Sequence, residues 1–143
     1  MNWFECKVSY EKTMENGLVK KVTESYLVDA LSHAEAEARI IEEMKPYISG
    51  EFTVSSVRRV SYSEFFSLGD GVPYYKVKIA LITLDEKTGA ERITKVNMLV
   101  QASDLKNAIA VTEEGMKGNL SDWEIVSVSE TVLEDVFFYK DKE

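Results

Sequence analysis

Apolar and polar residues alternate along the first part of the chain. In the segment FECKVSY, every second residue from Phe4 to Tyr10 is apolar or aromatic, and the residues between them are polar. This period of two predicts a strand with one apolar face. Asn16 and Gly17 follow in ENG and tolerate positive φ, so they predict a tight hairpin turn. The segment LVKKVTESYLV is then the return strand.

The spacing of apolar residues changes to that of a helix after this hairpin. Ser32 is a suitable N-cap, and Glu35 three residues later completes a capping box. The apolar stripe of the helix consists of Ala36, Ile40 and Met44. Pro46 cannot continue a helix and marks its end.

The same order of elements recurs in the second half of the chain. LVDALSHAEAEARIIEEMK reappears 72 positions later as LVQASDLKNAIAVTEEGMK, without a gap. Asp104 takes the place of the Ser32 cap, and Gly89 takes that of Gly17. The stripe expected on the second helix consists of Leu105, Ala108, Ile109, Thr112 and Met116.

The segments that follow the two helices align at a shift of 71, which pairs SGEFTVSSV with LSDWEIVSV. Alternation slips after Val54 in the first segment and after Ile125 in the second. The slip predicts either a β-bulge or a break into two strands in both places. Both segments end on adjacent phenylalanines, which extends the repeat to about seventy residues.

These patterns predict an α+β fold. We expect one domain over 1–143 that arose by internal duplication, with repeat 1 at about 3–66 and repeat 2 at about 74–138. Each repeat is predicted to form a ββαβ(β) unit, and the fold then has antiparallel sheets and two helices. The segment 67–73 is too short to separate independent domains, so we expect the halves to share one core.

Composition narrows the class of protein. The chain has 143 residues, of which 45% are hydrophobic, and no apolar stretch approaches the roughly 20 residues of a membrane span. One cysteine excludes an internal disulfide and favours a reducing compartment, so we expect a cytoplasmic protein. The net charge of −8 argues against coating nucleic acid by bulk charge, but it leaves room for a local basic face.

The sequence contains no motif of a catalytic, metal or cofactor site. His33 is the only histidine and aligns with an apolar position, and Cys6 lies on the apolar side of its strand, so we interpret both as structural. The turn Gly69–Gly71 lacks the remaining ligand positions of a calcium loop. We therefore expect no enzyme, no cofactor and no metal.

Basic residues concentrate in the strand-like segments, whereas the helices are balanced or acidic. The cations are Lys7, Lys20, Lys21, Arg58, Arg59, Lys76, Lys78 and Lys95, and the tyrosines close to them are Tyr10, Tyr26 and Tyr74. On the sheet face away from the helices, cations for phosphates and rings for bases would suit a single-stranded nucleic acid. The alternative is that the lysines keep an exposed sheet soluble and block edge pairing.

Three short markers carry a family resemblance across nearly the whole chain. They are Trp3-Phe4, the helix entry Val28-x-Ala30-x-Ser32, and Ser63-Glu64-Phe65-Phe66. With them the chain resembles an uncharacterised domain family of Bacteroidetes and their phages. That resemblance implies no specific activity.

A more remote likeness rests on the order of elements. From 50 to 117 the chain supplies four strands followed by a helix, as do the units of the Whirly and positive-cofactor-four proteins. The likeness implies single-strand binding related to phage or mobile-element replication. The alternative function is a protein–protein module or a small structural subunit. Because each sheet unit has edges, we also expect a homo-oligomer.

Overall fold

The computed structural model describes residues 2–67 and 73–138. Eight strands and two helices lie in these ranges. In chain order they are β1 (Trp3–Thr13), β2 (Val19–Asp29), α1 (His33–Met44), β3 (Phe52–Val60), β4 (Glu64–Ser67), β5 (Tyr74–Leu84), β6 (Glu91–Gln101), α2 (Leu105–Gly115), β7 (Asp122–Glu130) and β8 (Leu133–Phe137). The predicted α+β class and the two helices are confirmed. The segment 68–72, which includes the Gly69–Gly71 turn, lies outside the described residues.

The described residues form two compact units. Unit 1 comprises 2–61 and 132–138, and unit 2 comprises 62–67 and 73–131. Each unit contains one four-stranded sheet, one helix and its own hydrophobic core. One cluster of buried residues lies under the helix of each unit, and the expectation that the two halves share one core stays a prediction.

The two sheets have the same topology. The strand order is β3-β1-β2-β8 in unit 1 and, in the same direction, β7-β5-β6-β4 in unit 2. The pairs among the first three strands of each sheet are antiparallel, as expected. The last pair is parallel in both sheets, β2 with β8 and β6 with β4, so each sheet is mostly antiparallel with one parallel edge.

The parallel edge strands exchange between the sequence repeats. β4 ends repeat 1 but completes the sheet of unit 2, and β8 ends repeat 2 but completes the sheet of unit 1. In the register, Phe137 lies beside Val28 and Phe66 lies beside Val100. Phe66 and Phe137 are therefore equivalent, at the same shift of 71 that aligns β3 with β7.

The predicted slip in alternation is a β-bulge in both units. Between β1 and β3 the register passes from Ser56 to Val54, and Ser55 is the extra residue. Between β5 and β7 it passes from Ser127 to Ile125, and Val126 is the extra residue. The chain also breaks into two strands, but after Val60 and Glu130 and not at the slips, so β3 and β4 are separate strands, as are β7 and β8.

Both helices begin at the predicted caps. The Ser32 hydroxyl accepts a hydrogen bond from the Glu35 amide at 3.1 Å, and Asp104 accepts one from the Asn107 amide at 2.7 Å. The Glu35 carboxylate in turn accepts from the Leu31 amide. A side-chain acceptor at this position satisfies an amide that the first helical turn leaves unpaired.

The predicted apolar stripe is correct for α1 and partly wrong for α2. Ala36, Ile40 and Met44 are all buried. In α2, Leu105 is the first helical residue and is 50% exposed, whereas Val111 is buried and was not predicted. The α2 stripe follows i, i+3, i+4 from Ala108, so Leu105 precedes the turn that faces the sheet.

The helix of each unit covers one face of its sheet. In unit 1 the covered residues of β1 are Phe4, Cys6 and Val8. In unit 2 the corresponding residues of β5 are Tyr75, Val77 and Ile79. Every second residue of each strand therefore belongs to the core, as the alternation predicts.

Candidate nucleic-acid interface

Three lysines lie on one face of the unit 2 sheet, the face away from α2. Lys76 and Lys78 alternate on β5 with the core residues Tyr75 and Val77. Lys95 lies opposite Ala80 on β6, diagonal to Lys78. Residues two apart on a strand are separated by about 6.6–6.8 Å, and diagonal neighbours by roughly 7–8 Å. We call Lys76, Lys78 and Lys95 the lysine face.

The strand β7 places two serines beside the lysine face and two carboxylates, Glu124 and Asp122, further along the same face. Ser129 lies opposite Lys76, and Ser127 lies opposite Lys78. Among the residues that the structure describes, no ion pair engages these three amines. Alternation in the segment WEIVSVSE is the signal for these serines, because it places them on the face of β7 opposite to its apolar residues.

On the equivalent face of unit 1, a carboxylate replaces one of the lysines. By register, Glu5 corresponds to Lys76, and Lys7 corresponds to Lys78. Arg58 donates to the Glu5 carboxylate at 2.7 Å, which neutralises this predicted cation. Lys7 is exposed but lies between two serines, Ser25 and Ser56.

The remaining unit 1 cations do not share one surface. Arg59 lies opposite Phe4, on the side of the sheet that α1 covers, and donates to the Asn2 side chain at 2.8 Å. Lys20 lies opposite Lys12 near the hairpin turn, also on that side, whereas Lys21 lies on the other face, opposite Glu11. Alternation places them on different faces, so they cannot form one phosphate-binding strip.

Tyr10 and Tyr26 lie on the helix-covered side of the unit 1 sheet, opposite to Lys7. Tyr26 stacks on Phe137 with ring centroids 5.9 Å apart and donates to Glu24 at 3.3 Å. Burial and the Glu24 charge raise the pKa of the Tyr26 hydroxyl. These contacts already occupy the ring, so the arrangement does not place it beside Lys7 as a base platform.

Tyr10 also lines a cavity of about 590 Å³ at the start of β3. Its charged lining residues are Glu11, Glu51 and Lys21, so carboxylates outnumber the single cation. This lining disfavours a phosphate.

Tyr74 is on the correct face but is only 5% exposed. Its ring packs 6.4 Å from that of Phe65, and Thr131 donates to its backbone carbonyl. A buried ring cannot accept a base, so Tyr74 no longer belongs among the stacking residues. Phe65 is half-buried on the same face and is the aromatic ring that the sequence analysis missed.

The sheet faces away from the helices are not wholly open. Trp3 and Leu27 in unit 1, and Ala80 and Leu99 in unit 2, are buried on these faces. Alternation shows which residues share a face, but it does not show whether that face is accessible. Lys76 and Lys95 are exposed, and Lys78 is half-buried.

His33 and Cys6, both interpreted as structural, have separate settings in unit 1. His33 is exposed at the start of α1, and its ring centroid lies 4.8 Å from that of Phe4 in an edge-to-face arrangement. Cys6 is fully buried in the unit 1 core. Burial, with smaller contributions from the charges of Glu37 and Glu5, raises the pKa of its thiol to about 11. The interpretation of Cys6 as a core residue is confirmed.

The raised pKa of Cys6 predicts slow thiol chemistry in the folded chain. At pH 8 the thiol stays protonated, and the thiolate is the reactive species. We expect a chromogenic disulfide reagent to label native protein very slowly at pH 8 and one thiol per chain in guanidinium. Rapid stoichiometric labelling of the native chain would contradict this placement.

The comparison with protein families covers almost the whole chain. The model of a family described as a domain of unknown function, DUF4494, matches residues 2–139. The chain belongs to this family. No curated protein matches the DUF4494 chain. Neither described helix is long and apolar enough to cross a membrane, and no three potential metal ligands gather within 2–67 and 73–138.

Proposed function

We propose that this DUF4494 protein is a non-catalytic, single-stranded nucleic-acid-binding protein that uses the lysine face of unit 2. The observation that carries the proposal is the grouping of Lys76, Lys78 and Lys95 on one sheet face, where no ion pair within 2–67 and 73–138 engages their amines, in a chain of net charge −8. Like charges that are close together repel, and a bound polyanion relieves that repulsion.

Phosphate contacts would come from the amines, and base contacts from Phe65. Phe65 pairs with Leu99 on the sheet face that carries Lys76. Stacking on an aromatic ring suits any base, whereas amines hold the backbone without reading sequence. The combination favours a strand whose bases are unpaired and accessible.

The resemblances identified in the sequence support the same proposal. Each described unit supplies four strands and one helix, as the units of the Whirly and positive-cofactor-four proteins do. The resemblance to proteins of Bacteroidetes and their phages favours a role related to phage or mobile-element replication in the cytoplasm. Fold alone does not determine function, so the main support for nucleic-acid binding is the lysine face.

A salt titration tests the proposal directly. Labelled single-stranded DNA is titrated with the full chain at several salt concentrations. Three phosphate contacts predict a logarithmic salt slope of about 2, at roughly 0.7 per contact for a single strand. Absence of binding at low salt, or equal affinity for duplex and single strand, would contradict it.

A second candidate function, a protein–protein module that forms homo-oligomers, rests on the hairpin tips. Leu18 and Val19 in unit 1, and Leu84 and Ile93 in unit 2, are each 59–69% exposed. Such exposed apolar residues on a two-stranded hairpin favour a partner. The sheet edges are less suited to binding a partner protein, because β3 and β7 carry bulges and β4 and β8 are short. Light scattering tests whether the chain forms homo-oligomers, since a mass of 16.2 kDa at all concentrations excludes self-association.

A further inference from the structure

Unit 2 contains a cavity of about 450 Å³ on the helix side of its sheet. It lies where β4 and the sheet meet the end of α2. Its apolar wall consists of Phe66, Leu81, Val96, Met98 and Met116. Its polar lining residues are Ser63, Glu64, Lys117 and Asn119. A cavity of this size and lining is typical of a small-molecule site.

Gly115 holds Phe66 in position at this cavity. A Cβ at Gly115 would lie 2.6 Å from Cδ1 of the Phe66 ring, so the ring packs directly on the helix backbone. Phe66 thereby has one side supported by α2 while it also lines the cavity. At the equivalent helix position, unit 1 has Glu43.

The corresponding place in unit 1 is occupied by aromatic side chains. By register, Phe137 corresponds to Phe66, and Tyr26 corresponds to Met98. Tyr26 stacks on Phe137 with an interplanar angle of 21°. The phenol donates to Glu24, whose equivalent in unit 2 is Val96.

A second side chain in the cavity wall is also smaller in unit 2 than its equivalent in unit 1. Tyr10 of unit 1 corresponds to Leu81 by register. Two tyrosines are therefore replaced by Leu81 and Met98, while the phenylalanine beneath them is retained. The cavity thus coincides with the place where unit 1 stacks its own phenol ring.

We propose that the unit 2 cavity binds a small molecule with a single, uncharged aromatic ring, stacked on Phe66 as Tyr26 stacks on Phe137. Offset stacking and burial of an aromatic ring provide the attraction. The site is independent of the proposed nucleic-acid function, because the lysine face lies on the opposite side of the same sheet.

The polar residues at the mouth of the cavity determine which substituents on the ligand ring are favoured. Ser63 and the Glu64 carboxylate accept hydrogen bonds, so a phenolic hydroxyl suits the mouth and a ligand carboxylate is repelled. Lys117 does not offset this preference, because its amine is paired with Glu114 at 2.8 Å. The ligand class is therefore a phenol rather than an aromatic acid.

Backbone amide NMR with p-cresol as the probe tests the site. We expect saturable shifts at the amides of Gly115, Gly118 and Asn119, with a dissociation constant from submillimolar to millimolar for a ligand this small. Benzoate should bind more weakly because of Glu64, and cyclohexanol because it cannot stack. Shifts confined to other residues, or equal shifts with all three probes, would overturn the proposal.

Reciprocal variants separate this site from general hydrophobic binding. Met98→Tyr places the unit 1 residue in the cavity and should weaken p-cresol binding at least about tenfold, because the ring fills the volume that the ligand needs. Tyr26→Met should open a second site beside Phe137 and produce new shifts in β8. Circular dichroism checks that both variants fold. If Met98→Tyr does not fold, the wild-type shift map and Tyr26→Met decide the proposal. Unchanged binding in a folded Met98→Tyr would overturn it.

Discussion

Lys76→Glu combined with Lys78→Glu is expected to weaken the binding of single-stranded DNA by roughly 30- to 1000-fold. Each reversal replaces an exposed attraction of about 0.5–1 kcal/mol by a repulsion of similar size, and the pair therefore costs about 2–4 kcal/mol. The salt slope should also fall from about 2 to below 1, because only Lys95 retains its phosphate. Fluorescence anisotropy at several salt concentrations measures both quantities.

A matched control distinguishes a site from diffuse charge attraction. Lys12→Glu with Lys20→Glu lowers the net charge by the same amount, and these lysines lie opposite each other on the exposed unit 1 hairpin. We expect this control to change affinity only a few-fold. If both double variants lose binding equally, the lysine face is not a site. Arg39 is unsuitable as a control because it donates to the backbone carbonyls of Asp29 and Phe138.

Met44→Ala is expected to lower the free energy of unfolding by about 2–5 kcal/mol. Met44 is 1% exposed and lies in the unit 1 core with Phe4 and Ile40. Removing most of its side chain leaves a cavity that close-packed neighbours fill only in part. Chemical denaturation at an unchanged m-value measures the loss.

The same substitution at an exposed methionine provides the control. Met14 is 41% exposed in the turn of the first hairpin, so Met14→Ala should change the free energy of unfolding by less than about 0.5 kcal/mol. Equal effects at the two positions, or a loss below 1 kcal/mol at Met44, would contradict the core described for unit 1.

The candidate site was only partly predictable from the sequence. Alternation placed Lys76 and Lys78 on one face, and the structure agrees. Alternation also placed Tyr10 on the same face as Phe4, so its separation from Lys7 follows from the sequence itself. The pairing of Arg58 with Glu5 depends on how β3 aligns with β1, which no local pattern specifies.

Interactions between residues close together along the chain account for what the sequence by itself determined. The periods of two and 3.6 residues determined the type of each element, and the side chains of Ser32 and Asp104 determined where the helices begin. The slips in alternation located the bulges. Each of these features depends on neighbours a few residues away along the chain.

Tertiary structure alone decided which strand completes each sheet and which faces are buried. Paired residues of β4 and β6, such as Glu64 and Met98, lie 34 positions apart, and those of β2 and β8 lie more than 100 positions apart. A hydrophobic strand can pair with any open edge of suitable register, so partner choice depends on long-range packing and not on periodicity. The same packing buries Tyr74 and leaves the cavity beside Phe66, because burial and cavity volume depend on side chains far apart in the sequence.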